Sequence, residues 1–211
     1  MIYSPLVENR TGPEIRNAPA VAVDIGFSKA GGHSTGFATD SPDYAIKRVK
    51  TKVDVRIWHE NLSFAEAIQQ TASVFRRWLP EHPAVLIVEA PLSENFDDDG
   101  NPKHRGAFEV STPWYHRAGA LTALAGCYFL KKLAEALDDV ERTVYLVEGF
   151  VTGRDSGNHR LVAKNLLSTW RSGGRLIKPV SQLLSFPTLP GCNAEVGAPW
   201  VLKLNAANRT S

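Results

Sequence analysis

The sequence predicts an α/β fold with a mixed five-stranded sheet, in the order β-β-β-α-β-α-β-α, and helices on both faces. Three observations predict it. Two short, continuous apolar runs, residues 84–89 (AVLIVE) and 143–148 (TVYLVE), read as strands covered on both faces. Stretches of helical periodicity follow each of them. Ahead of them, three strand-like segments joined by short turns form an antiparallel meander. A meander followed by strand–helix repeats requires a sheet that is antiparallel on one side and parallel on the other.

Residues 1–19 hold Pro5, Gly12, Pro13 and Pro19 without periodicity and read as an irregular N-terminal arm. Residues 20–27 (AVAVDIGF) form the first strand, of small and β-branched residues. Residues 28–32 turn the chain, 33–39 return as a second strand interrupted by Gly36, and 40–43 turn it again. In the third strand Val49, Thr51, Val53, Val55 and Ile57 alternate with Arg48, Lys50, Lys52, Asp54 and Arg56, giving one apolar and one basic face. Ser63 and Glu66 stand at capping-box spacing and start a helix. Phe64, Ile68, Ala72, Phe75 and Leu79 share one side of it, and Pro80 and Pro83 end it. After the strand at 84–89, residues 91–112 are a long polar loop with Asp97, Asp98, Asp99 and Gly100 at a solvated tip. Thr112 and Pro113 are placed to cap a helix running to about Leu137, with Leu121, Leu124, Tyr128 and Leu133 as its apolar positions. The strand at 143–148 leads to a last helix over 159–170. Arg160, Lys164 and Arg171 line one side of that helix, and Ala163, Leu166, Leu167 and Trp170 another. Residues 20–172 thus make the core domain, and 173–211, interrupted by Gly and Pro and holding one or two short strand-like pieces, a C-terminal extension packed on it.

Composition excludes several classes. Of 211 residues, 43% are hydrophobic and 22% charged, and 24 Lys and Arg nearly balance 22 Asp and Glu. That is the balance of a globular chain, neither disordered nor polybasic. The cysteines, Cys127 and Cys192, make no disulfide framework or zinc site. Cys127 lies in an apolar helical run and reads as a small core residue. The start lacks the apolar run of a signal peptide, and the most apolar stretch, 118–130, falls short of the roughly 20 residues that span a bilayer. A soluble, cytoplasmic protein is expected.

Three acids stand where buried strands would otherwise continue: Asp24 in VAVDIGF, Glu89 closing VLIVEAP and Glu148 closing VYLVEGF. An unpaired carboxylate among apolar groups is costly. Grouping such acids around a divalent cation is one solution, and the carboxyl ends of strands are where open α/β sheets place their sites.

The segment VAVDIGFSKAGGHSTGFATD resembles the first hairpin of the RNase H-like superfamily. LIVEAPLSENFDDDGNPKHRGAFE resembles the fourth-strand segment of its RuvC-like and YqgF-like Holliday junction resolvase branch, which includes predicted nucleases of unknown function. The resemblance spans roughly residues 20–172 and implies the same element order. It implies Asp24 and Glu89 as metal ligands on strands one and four. Members of the branch often carry His-x-x-Asp at the start of the last helix. Here His159 is kept and Val162 stands in place of the acid, so Asp155 or Glu148 would have to complete the set.

The implied chemistry is phosphodiester hydrolysis with Mg²⁺ or Mn²⁺, with nucleic acid (branched or structured DNA, or RNA) as substrate. Phosphate contacts would come from Lys50 and Lys52 with Arg48 and Arg56, from Lys103, His104 and Arg105 on the long loop, and from Arg160 and Lys164. Trp114, Tyr115 and His116 read as a packing cluster at a helix start, with base stacking as the alternative. Resolvases of this type are usually dimers, and the sequence locates no dimer face. Two other readings stand beside this one. Asp24-Ile-Gly26 and the turn at 28–32 also resemble the phosphate hairpin of sugar kinases and actin-like ATPases, which need a second lobe that this length does not provide. The Val162 departure supports a catalytically degenerate module that binds nucleic acid or protein.

Overall fold

The computed structural model describes residues 2–5, 17–26, 32–40, 57–92, 96–104, 113–138, 140, 142–149, 158–171 and 200–204. The elements are β1 (Ile2–Pro5), β2 (Ala20–Asp24), β3 (Thr35–Asp40), β4 (Ile57–Leu62), α1 (Phe64–Trp78), β5 (Ala84–Glu89), α2 (Ala118–Ala136), β6 (Arg142–Glu148), α3 (His159–Arg171) and β7 (Trp200–Leu204). They form one sheet in the order β1-β7-β6-β5-β2-β3-β4. β2–β5 and β5–β6 are parallel and every other pair is antiparallel.

The mixed α/β sheet is as expected, but the described residues give it seven strands rather than five. The additional strands come from the arm read as irregular and from the C-terminal extension. β7 lies against the outer edge of β6, and β1 lies against β7. β7 lies within the extension in which short strand-like pieces are expected, whereas β1, paired across nearly the whole chain, leaves no local periodicity to read. Pro5 is tolerated because β1 is an edge strand. The described third meander strand is Ile57–Leu62, beginning where the expected one ends, with Asp40 opposite Ile57 and Thr35 opposite Leu62. Its polar sequence IWHENL hides a strand with one face under α3 and the other toward α1. Residues 41–56 lie outside the described residues, and with them Arg48, Lys50, Lys52 and Arg56.

Period-two alternation builds the two layers. Val21, Val23, Leu86 and Val88 face α1 and α2, and Ala20, Ala22, Val85 and Ile87 face α3. The capping box of α1 forms as expected: the Ser63 N–H donates to Glu66 Oε2 at 2.8 Å and the Glu66 N–H to Ser63 Oγ at 3.3 Å. α2 begins at Ala118, five residues later than its proline suggests. Turn hydrogen bonds from His116 to the Pro113 carbonyl and from Gly119 to the His116 carbonyl occupy the interval. Its inward side is Gly119, Gly126, Phe129, Leu130 and Leu133. Leu121, Leu124 and Tyr128, expected among the apolar positions, are exposed, and so is Cys127. No helix among the described residues is long and apolar enough to cross a membrane.

Under α3 the sheet is lined with small residues, and Gly36 is the extreme case. A Cβ there would stand 1.9 Å from the His159 carbonyl oxygen, so only glycine lets α3 start so close to the sheet. Gly36→Ala is expected to cost about 1–3 kcal/mol through forced backbone displacement. Chemical denaturation measures this, and an unchanged midpoint would contradict it.

Candidate functional site: a carboxyl pair at the strand ends

The β2–β5 ladder sets Asp24 level with Glu89. Level residues on adjacent strands share a face about 4.8 Å apart, and alternation places both on the α3 side. Asp24 is buried and its carboxyl hydrogen-bonds that of Glu89. Burial, then the Asp24 charge, then this hydrogen bond and finally the charge of Glu148 push the Glu89 pKa up to about 9. The pair therefore holds a proton between two acids at neutral pH.

His159 begins α3 beside them, its Nδ1 2.9 Å from Asp24 Oδ2. The hydrogen bond to Asp24 raises the His159 pKa above its ordinary value, against partial burial, and the Asp24 charge adds to the rise. Gly36, level with Asp24 on β3, provides the room for this approach. The first turn of α3 is capped from another element: Asn61 Oδ1 on β4 accepts the Arg160 N–H at 2.9 Å. The amides of Leu161 and Val162 go to the Asn158 main-chain carbonyl. The Asn158 side chain is thus not needed as a cap, and its Oδ1 is buried without a hydrogen-bond partner. Sequence reading missed both Asn61 and Asn158, because a cap supplied across the fold has no spacing rule.

Glu148 is level with Val88, so register turns it toward the α1 and α2 side. It is buried there at 7% exposure, and its charge still reaches Glu89. The residue level with Glu89 on the site face is Gly149, whose N–H donates to the Val88 carbonyl at 2.9 Å. A Cβ on Gly149 would meet Leu166 at 2.7 Å. Val162 packs in the core beneath α3 at 2% exposure. Asp155 lies outside the described residues. Among the described residues, no group of three or more His, Cys, Asp or Glu side chains is arranged to hold a metal ion.

Of the expected phosphate contacts, Arg160 and Lys164 lie on α3 beside β4. Their charges lower the pKa of His59, after the larger effect of its burial. His59 on β4, which the sequence reading missed, stands within reach of both charges and is held toward its neutral form. Lys103 and His104 sit on the loop after β5, where the Lys103 carbonyl accepts the Trp114 Nε1–H at 3.0 Å and the His104 ring stacks on Tyr115 at 5.9 Å. Trp114 is buried, with edge contacts to Phe96 and Tyr115. Asp97 spends its carboxylate on the amides of Asp99 and Asn101, holding its own turn. Lys50, Lys52 and Arg105 lie outside the described residues.

Compared with protein-family models, with curated proteins and with solved structures, the chain matches nothing.

Proposed function

We propose that the chain is a divalent-metal-dependent phosphodiesterase acting on nucleic acid, on an RNase H-like fold. The observation that carries the reading is the pair Asp24–Glu89, level on adjacent parallel strands and sharing a proton at their carboxyl ends. A divalent cation can take the place of that proton, because it relieves the same repulsion between the same oxygens. The core strand order β6-β5-β2-β3-β4 is compatible with the superfamily's topology.

The donor set fits a hard cation. Asp24 and Glu89 offer carboxylate oxygens, level with each other on adjacent strands. Such an ion, when bound, would supply an activated water and charge stabilisation at the leaving oxygen. His159 fixes the Asp24 carboxylate from α3, and Arg160 and Lys164 would hold the flanking phosphates.

One observation favours a second reading, a binding module without catalysis. On the site face the third parallel strand contributes Gly149 in place of an acid, and α3 contributes Val162 to the core.

The test uses labelled branched, single-stranded and duplex DNA and RNA with Mg²⁺ or Mn²⁺. The wild type should cleave at least one of them, and Asp24→Asn and Glu89→Gln should each reduce cleavage to background. Binding without cleavage by the wild type selects the module. ATP turnover with no action on nucleic acid would sink both.

A further inference from the structure

Two side chains of α3 and one of β4 stand together away from the carboxyl pair. His59 lies opposite Ala38 and Asn61 opposite Gly36, the two β3 residues on which α3 rests. Asn61 takes the Arg160 N–H, which brings the first turn of α3 onto β4. Arg160 and Lys164 are four residues apart, so they project from one side of α3, a turn apart. Both charges act on the His59 ring. Among the described residues, no carboxylate lies at ion-pair distance from Arg160 or Lys164. Two such cations against one strand repel each other, and an anion between them relieves the repulsion. The His59 ring sits beside them with its Nδ1 enclosed and without a hydrogen-bond partner. Buried polar atoms are almost always paired, and an unpaired one marks a place that a ligand can complete.

We propose that His59, Arg160 and Lys164 form a subsite for one backbone phosphate of a nucleic-acid strand, with His59 as its third donor. The choice of nucleic acid rests on the function proposed above. The chemistry of the three groups selects phosphate. A guanidinium offers a planar fork of donors, an ammonium a compact charge and an imidazolium a further N–H, which together suit a tetrahedral oxyanion. The subsite is separate from the reacting centre. Asp24, Gly36 and Asn61 are level on successive strands, and His59 is two residues from Asn61 along β4. Backbone spacing therefore sets it about 12 Å from Asp24, so it meets a flanking phosphate. Before binding, burial and the two cations hold His59 toward its neutral form. A phosphate neutralises those cations, and the imidazole then takes up a proton from solvent and donates a hydrogen bond to a phosphate oxygen. The other charges around the ring are committed elsewhere. Asp40, on the same side of β3, is bound by Arg171, and His159 on α3 by Asp24. Glu60 is on the opposite side of β4, near Glu66 and His33. Binding is thus coupled to uptake of a proton, and affinity rises as pH falls below neutrality.

Binding of short fluorescent single-stranded DNA and RNA, without metal and at fixed ionic strength, tests it. Between pH 8 and pH 5.5 the full-length wild type is expected to gain at least about threefold in affinity for one of them, within the tenfold that one linked proton contributes per pH unit. His59→Gln should lose most of that gain, with circular dichroism confirming that it is folded. In the wild type itself, the His59 imidazole resonance should titrate at higher pH when inorganic phosphate is present. A wild type that binds neither strand overturns the inference. So does an equal pH dependence in wild type and His59→Gln, or a His59 titration that phosphate does not move. A polyaspartate peptide that binds as tightly as the nucleic acid, and loses as much on His59→Gln, overturns the choice of phosphate. Cleavage with binding indifferent to His59 sinks the subsite alone. Binding that depends on His59, with no cleavage under Mg²⁺ or Mn²⁺, supports the subsite and sinks the nuclease alone.

Discussion

Arg171→Met will destabilise the fold by about 3–5 kcal/mol, the cost of leaving a buried charge without its partner. Asp40 is fully buried at the end of β3, and Arg171 is the last residue of α3. The guanidinium donates through Nε to Asp40 Oδ1 at 3.1 Å and through Nη2 to Asp40 Oδ2. Nη2 also donates to the Ala18 carbonyl at 2.8 Å. The other claim on Asp40 is the Ala20 N–H, which donates to Oδ2 at 2.7 Å. Among the described residues, removing the guanidinium therefore leaves the buried carboxylate with the Ala20 amide as its remaining donor. Adding Asp40→Asn should recover much of the loss, because the neutral amide still accepts from Ala20 and carries no charge. Urea denaturation of the two variants measures both effects. A loss below about 1 kcal/mol in the single variant would show that the pair behaves as a surface ion pair.

Glu89→Gln is expected to raise stability at alkaline pH while removing the metal-dependent activity proposed above. The sign follows from where the proton sits. Above the ordinary pKa of 4.5 the unfolded chain releases it, and the folded chain keeps it until about 9. The folded state thus binds more protons than the unfolded state across that window, so wild-type stability falls as pH rises through it. Glutamine can make the same hydrogen bond to Asp24 and has no proton to lose. The melting temperature of the variant should therefore exceed that of the wild type by several degrees at pH 8, with the difference closing toward pH 4. His159 runs in the same direction. Its raised pKa gives stability that is complete below about 6.5 and fades as pH rises through the folded value. Parallel melting curves for the two proteins at all pH values would mean that the two carboxyls do not share a proton.

The elements that announced themselves were those whose information is local. The run AVLIVE is a strand because six consecutive residues suit a buried position, and Ser63–Glu66 is a cap because both partners lie within one turn. The carboxyl pair was legible for a related reason, since an acid closing an apolar strand is conspicuous within a short window. Facing was harder to read. Glu148 closes its strand as Glu89 does, yet a one-residue difference in register turns it to the other side of the sheet, and only the pairing reveals that. Leu121 and Leu124 have the periodicity of core residues on a helix whose buried stripe is carried by neighbours as small as Gly119 and Gly126. The ties at Asp40–Arg171, Asp24–His159 and Asn61–Arg160 span 131, 135 and 99 residues, and no motif of adjacent letters encodes such distances.

Those three spans also set the order of events as the chain folds. The start of α3 takes its capping oxygen from the edge strand β4, its imidazole partner from β2 and its seat from Gly36 on β3. Each of these belongs to the N-terminal meander and is made long before α3 leaves the ribosome. An isolated segment of 13 residues is too short to hold helical structure in water. The last helix must therefore wait for a finished platform, and the His159–Asp24 contact is among the last to close. A chain stopped before α3 would lack the helix that packs on Ala20, Ala22 and Ala38. This is the stage at which the nascent protein would be most exposed to chaperones and proteases.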